Sequence, residues 1–114
     1  TGAAYSRETL QDVADFAVRH DLLVLADDIY TSFDYTKPFI PIASLPRMFE
    51  RTVTVNSGSK NFVMTGMRIG NLVADADIIQ AAKIVVEATT YSSPSISQRA
   101  MLSATLKELA IFHA

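Results

Sequence analysis

Five consecutive apolar residues, Leu22-Leu23-Val24-Leu25-Ala26, run into a pair of carboxylates, Asp27-Asp28. So short and uniformly apolar a run reads as a strand covered on both faces, the kind a parallel sheet carries between layers of helices. A second run, Thr52-Val53-Thr54-Val55, is rich in β-branched residues and stops as abruptly at Asn56-Ser57-Gly58-Ser59. Arg68 to Ala74 reads as a third strand, reached through about eleven residues without a helical period. Parallel pairs need a dozen or more connecting residues, so the third strand is expected to be antiparallel.

Helical periods flank these strands. Leu10, Val13, Ala14 and Ala17 repeat at i, i+3, i+4 and i+7 behind Ser6, an N-cap residue type, which predicts a helix over 7–20. Glu8 in its first turn and Arg19 and His20 in its last complement the macrodipole, with His20 expected as a capping side chain. Asp75 caps a helix predicted over 76–89, with Ile78, Ala82, Val85 and Val86 on one face. Pro94 suits the first position of another, whose apolar face is expected from Ile96, Ala100, Met101, Leu102, Leu106 and Leu109. Between Asp28 and Glu50 lie Pro38, Pro41, Pro46 and five aromatic residues with no sustained period. That segment reads as a long irregular loop with at most a short helical turn, and loops of such length are usually functional. Strands followed by helices in this order define an α/β layer on a mostly parallel sheet.

Composition narrows the functions open to such a layer. The 114 residues carry 10 Lys plus Arg against 12 Asp plus Glu, a net charge of -2. A nucleic-acid binder should show a basic face, so phosphate backbones are not expected partners. There is no Cys, and His20 and His113 stand far apart, which leaves no thiolate or histidine metal set and fits a reducing cytoplasm. No apolar stretch reaches the roughly 18 residues needed to span a bilayer, and no basic-then-apolar leader opens the sequence, so neither membrane insertion nor secretion is expected.

In open α/β sheets ligands bind beyond the carboxyl ends of the strands, and two strands here end in Asp27-Asp28-Ile29-Tyr30 and Ser57-Gly58-Ser59-Lys60. If the strands pair, an acid, a phenol, two hydroxyls and a lysine meet in one crevice, with Arg68 entering at the third strand. That inventory suits a phosphorylated aromatic cation. Taken singly, Lys60 and Arg68 read as solvated charges, Asp27 and Asp28 as turn formers and Tyr30 as a half-buried aromatic. Their joint spacing, with Lys60 33 residues after Asp27 and Arg68 8 after Lys60, is what raises them above that reading. Two other readings stay open. Ser57-x-x-Lys60 matches the Ser-x-x-Lys motif of acyl transferases and hydrolases, although neither Ser-Asp-Asn nor Lys-Thr-Gly occurs. A noncatalytic α/β interaction module with incidental strand-end charges is the other. A nucleotide-binding P-loop fails for want of Gly-Lys-Ser/Thr behind a spaced glycine.

The pattern Asp27-x-x-Tyr30, Ser57-x-Ser59-Lys60, Gly66-x-Arg68-x-Gly70 resembles the class I/II, fold type I aminotransferases that depend on pyridoxal 5'-phosphate. Thr1-Gly2 is similar to the tail of that family's Asn-Pro-Thr-Gly turn, and Met64 to Gly70 to the segment after its lysine. The resemblance implies that 1–114 is the central part of a large cofactor-binding domain: a fragment of a three-layer, mostly parallel sheet of about three strands, the last antiparallel, with flanking helices. It implies transfer of an amino group between an amino acid and a 2-oxo acid in a cytoplasmic homodimer. Lys60 is then the lysine that condenses with the cofactor aldehyde and carries a proton between substrate and cofactor. Asp27 pairs with the pyridine nitrogen. Tyr30 donates to the cofactor's phenolate oxygen and so lowers the proton affinity of the nitrogen joined to Lys60. Ser57, Ser59 and Arg68 hold the phosphate. Asp28 is left to support the loop. The family's glycine-rich helix start, ring-stacking aromatic residue and carboxylate-binding arginine have no counterpart in the sequence.

Overall fold

The computed structural model describes residues 3–35 and 37–112, with side chains to residue 107. Thr1-Gly2, His113 and the Leu109 side chain therefore lie outside the described residues.

Three strands form one sheet in the order β1-β2-β3: β1 is Val24–Asp27, β2 Thr52–Ser57 and β3 Gly70–Val73. β1 pairs parallel with β2, from Val24 opposite Thr52 to Asp27 opposite Val55. β3 pairs antiparallel with β2, with Ser57 opposite Gly70, as the short connection requires. Both crevice tetrads thus leave the sheet from neighbouring strands at the same end. The connections carry more local structure than the sequence pattern predicts. Residues 28–51 hold three 3-10 turns, Thr31–Phe33, Ile42–Ser44 and Phe49–Arg51. The segment between β2 and β3 contains a short helix, α2 (Gly58–Asn61), and a 3-10 turn at Thr65–Met67. Pieces of three or four residues are too short to leave a readable period.

The helix before the sheet, α1, spans Arg7–Arg19, and the Ser6 side chain accepts from the Thr9 N–H as its cap. His20 closes it through its backbone N–H, while its ring packs on Phe16 at 4.5 Å between centroids. α1 buries Ala14 and Ala17 against Ile42, Leu45 and Met48, with Leu10, Val18, Val24 and Ala26 packed around them. Ile42, Leu45 and Met48 recur every three residues, the spacing of 3-10 turns, which is how an irregular connection supplies the core. Arg51 fastens this layer to the sheet, donating to the Asp21 carboxylate at 3.3 Å and to the Leu22 carbonyl at 3.2 Å.

α3 (Ala76–Thr89) has its expected bounds and cap, Asp75 accepting from the Asp77 N–H. α4 covers Ser95–Phe112, and the Pro94 carbonyl accepts from Gln98, which puts Pro94 just before the first helical residue. Burial expectations are overturned in β1, α3 and α4, with Val85 62% and Val86 41% exposed on α3. β1 alternates instead of being covered on both faces, and Leu25 is 73% exposed, because among the described residues only one face of the strand has a layer on it. α4 turns Ser97, Ala100, Met101 and Ala104 inward, leaving Ile96, Leu102 and Leu106 exposed. That inward face packs closely on the start of α2: a Cβ added at Gly58 would lie 3.0 Å from Met101 Sδ, a contact the flexible thioether can relieve by shifting.

Gly70 admits no such adjustment, since a Cβ would stand 2.5 Å from the Asn56 carbonyl oxygen on the paired backbone. Gly70→Ala is therefore expected to destabilise the β2–β3 pair by about 1–3 kcal/mol. Gly66→Ala, with nothing within 4 Å of the added carbon, should stay within about 0.5 kcal/mol of the parent. Denaturant unfolding of both variants checks this, and equal midpoints would contradict it.

Candidate active site

Each candidate residue owes its position to a strand end. Asp27 is the last residue of β1, and the Asp28 N–H continues the ladder by donating to the Val55 carbonyl at 3.0 Å. The chain then turns through Tyr30 into the Thr31–Phe33 turn. On the neighbouring strand Ser57 ends β2 and caps α2, its hydroxyl oxygen accepting from the Ser59 N–H at 3.1 Å. That bond uses an acceptor site of Ser57 and leaves its O–H to donate elsewhere. Lys60, partly buried, rides on α2, with its amine 5.8 Å from the centre of the Tyr30 ring. A cation at that distance over a phenol face is held by about 0.5–1 kcal/mol.

Arg68 is brought to the same end by the return of the chain. The Gly58 N–H donates to the Ile69 carbonyl at 3.1 Å, and Gly70 lies opposite Ser57, so the arginine leaves the backbone beside the serine turn. It sits in the left-handed region at φ 48°, and its Nη1 donates to the Thr65 carbonyl at 3.0 Å. Asp21, Arg47, Val63 and Tyr91 share that left-handed conformation, so the backbone angle by itself does not set this turn apart.

The structure thus brings Lys60 to Tyr30 and Ser57 to Ser59, with Asp27 and Arg68 at the ends of the strands on either side of β2. Two clefts border these strands, and neither contains Lys60. One, of about 270 Å³, runs along β1 and includes Asp27, Asp28 and Lys37; the other, of about 470 Å³, lies between β3 and α3. Among the described residues no cluster of His, Cys, Asp and Glu could hold a metal ion. No described helix is long and apolar enough to cross a membrane. The residue that sequence reasoning missed is Asn61, next to Lys60, which bonds the turn after Tyr30. Nothing in its residue type signals this; its place one step after Lys60, as Thr31 stands one step after Tyr30, is the only trace in the sequence.

Asp28, expected to support the loop, instead extends the β1–β2 ladder through its backbone N–H, and its Oδ2 is buried without a hydrogen-bond partner among the described residues. Burial holds its carboxyl above the ordinary range, and the adjacent Asp27 carboxylate raises it further. The folded chain then keeps this proton more tightly than the unfolded chain. Its support for folding is complete below the ordinary carboxylate range and is lost as pH rises through that range towards the raised value. Asp28→Asn should therefore stabilise the fold at neutral pH and give no such gain near about pH 3.5. Thermal melts at the two pH values check this, and an equal change at both would assign the effect to packing.

The sequence profile described as aminotransferase class I and II matches residues 1–112. An aspartate aminotransferase of Pyrococcus abyssi is 48% identical over 81 residues, which cover 70% of this chain and 21% of that protein. An aromatic-amino-acid aminotransferase of Thermococcus litoralis is also 48% identical, over 82 residues, covering 70% of this chain and 21% of its own length. A solved Thermus thermophilus aspartate aminotransferase double mutant superposes with a TM-score of 0.89 at 35% identity, covering 96% of this chain and 28% of that one. The fold and the strand-end lysine define an α/β protein of the aminotransferase type. The chain belongs to the class I and II aminotransferase family. It spans between 21% and 28% of the length of the first curated relatives it matches.

Family membership does not favour the Ser-x-x-Lys reading or the noncatalytic module. Ser57 does stand at a helix start with Lys60 on that helix, but its hydroxyl oxygen accepts from Ser59 and the Lys60 amine lies over Tyr30.

Proposed function

We propose that this chain is the central part of the large cofactor-binding domain of a longer, pyridoxal-phosphate-dependent aminotransferase that moves an amino group between an amino acid and a 2-oxo acid. The observation that carries this reading is the Lys60 amine over the Tyr30 ring at the paired ends of β1 and β2, in a chain of this family. The share of its relatives that it spans supports the incomplete domain. So do the bare faces at Leu25, Leu102 and Leu106, since a helix apolar on both sides is one packed between layers.

The donor set fits the cofactor. Ser57 keeps an O–H to donate, Ser59 stands two residues on, and Arg68 lies two residues before Gly70, the strand partner of Ser57, with a planar fork to offer; such donors suit a phosphate. Asp27 at the end of β1 suits a cationic ring nitrogen, and Tyr30 offers a phenol donor next to the lysine. Bound there, pyridoxal phosphate supplies an aldehyde for the amine and a ring that withdraws electrons from the substrate carbon. Lys60 would be the amine that condenses with the aldehyde carbon, releasing water, and the group that carries the proton at the substrate Cα. Asp27 would hold positive charge on the ring nitrogen, Tyr30 would donate to the phenolate oxygen, and Ser57, Ser59 and Arg68 would orient the phosphate. A homodimer and a cytoplasmic location belong to the same proposal, the latter supported by the cysteine-free composition.

Titrating the full-length parent with pyridoxal phosphate tests the reading: a visible absorption band of lysine-bound cofactor, followed by turnover of an amino-acid and 2-oxo-acid pair, is expected. No band would overturn it. The 114-residue chain alone should show no steady turnover, because part of a site cannot orient a substrate. Steady turnover by the purified chain would refute the incomplete-domain reading.

A further inference from the structure

Asn61 makes two side-chain hydrogen bonds across the crevice, to two successive residues. Its Nδ2 donates to Thr31 Oγ1 at 2.8 Å, and its Oδ1 accepts from the Ser32 N–H at 3.3 Å. Thr31 directly follows Tyr30, and Asn61 directly follows Lys60. One amide therefore ties the turn bearing the phenol to the turn bearing the amine. The lysine turn is also held from the opposite side, where the Gly58 N–H donates to the carbonyl of Ile69, the residue just before β3. A side chain with one donor end and one acceptor end suits this place, because the Ser32 N–H can only donate while the Thr31 hydroxyl can accept.

We propose that Asn61 is a positioning residue: its amide clamps the Lys60 turn to the Tyr30 turn and so sets the distance between amine and phenol. The proposal rests on the cofactor reading above, because only with pyridoxal phosphate joined to Lys60 does that distance control a proton. Tyr30 then donates to the phenolate oxygen beside the nitrogen joined to Lys60, and a closer phenol lowers that nitrogen's proton affinity. Loosening the clamp weakens the donation without removing either residue.

The test uses the full-length parent in two forms. In the cofactor-free protein, amide hydrogen exchange at Ser32 should be slow in the wild type and become at least about tenfold faster in Asn61→Ala, since the acceptor is gone. In the cofactor-loaded protein, the pH midpoint of the visible band should rise by roughly one unit in Asn61→Ala, towards the value in Tyr30→Phe. Thr31→Val should move it in the same direction by less, Thr31→Ser should leave it at the wild-type value, and Asn61→Ala with Thr31→Val should shift it by less than the sum of the two. Unchanged Ser32 exchange in Asn61→Ala overturns the clamp. A midpoint that moves in Tyr30→Phe but in neither Asn61→Ala nor Thr31→Val overturns the positioning role. A wild type with no visible band at all overturns the cofactor reading instead, and the exchange measurement still decides the clamp.

Discussion

Borohydride reduction of the cofactor-loaded parent is expected to fix the pyridoxyl group on Lys60, and Lys60→Ala to lower turnover by at least about 10³-fold. Lysines elsewhere in the chain lack the surroundings that would make them candidates. Lys37 stands exposed in the connection between β1 and β2. Lys83 is paired with Glu87 at 3.7 Å on the exposed side of α3. Lys107 lies on the exposed side of α4. Lys60 alone among them is partly buried, at the carboxyl end of a central strand, with a phenol under its amine. Its loss removes both the group that binds the aldehyde and the group that moves the Cα proton, so the two effects multiply. Peptide mapping of the reduced protein decides the matter, and a pyridoxyl label on Lys37, Lys83 or Lys107 would sink the assignment.

The candidate crevice is legible in the sequence because polar residues at its strand ends interrupt apolar runs. Leu22 to Ala26 followed by Asp27, and Thr52 to Val55 followed by Asn56-Ser57, mark the two edges of the crevice without any knowledge of tertiary packing. The antiparallel third strand follows from loop length alone. What stays hidden is set by contacts between distant segments. Ile42, Leu45 and Met48 become core only because α1 offers Ala14 and Ala17 opposite them, and a three-residue spacing inside a proline-rich connection does not announce burial. The facing of α4 is likewise set by contacts with distant segments, Met101 meeting Gly58 from 43 residues away, and a helix apolar on both sides leaves the choice open. Asn61 is the sharpest case, since its role depends on partners 29 and 30 residues away and on nothing in its own neighbourhood.

Asp27 and Arg68 should separate the two demands on the site, catalysis and retention of the cofactor. Asp27→Asn in the parent keeps the shape of the side chain at the end of β1 but removes its charge. A neutral amide no longer favours a positive ring nitrogen, and that charge matters most when electrons move into the ring, so the rate should fall about 10²–10³-fold. Cofactor affinity should fall by less than about tenfold, because the phosphate contacts and the bond to Lys60 remain. Arg68→Ala reverses the pattern. In the proposed site Arg68 would hold the phosphate and none of the reacting atoms, and removing a charge-assisted fork should weaken binding by about 1.5–3 kcal/mol, roughly 10- to 150-fold. With the cofactor held at saturation, turnover in Arg68→Ala should recover to within about tenfold of the parent, whereas no excess restores Asp27→Asn. Dissociation constants from the visible band, measured beside kcat at saturating cofactor, compare the two directly. Equal losses of cofactor affinity in both variants would contradict the division, and would place Asp27 among the groups that hold the cofactor instead of those that tune it.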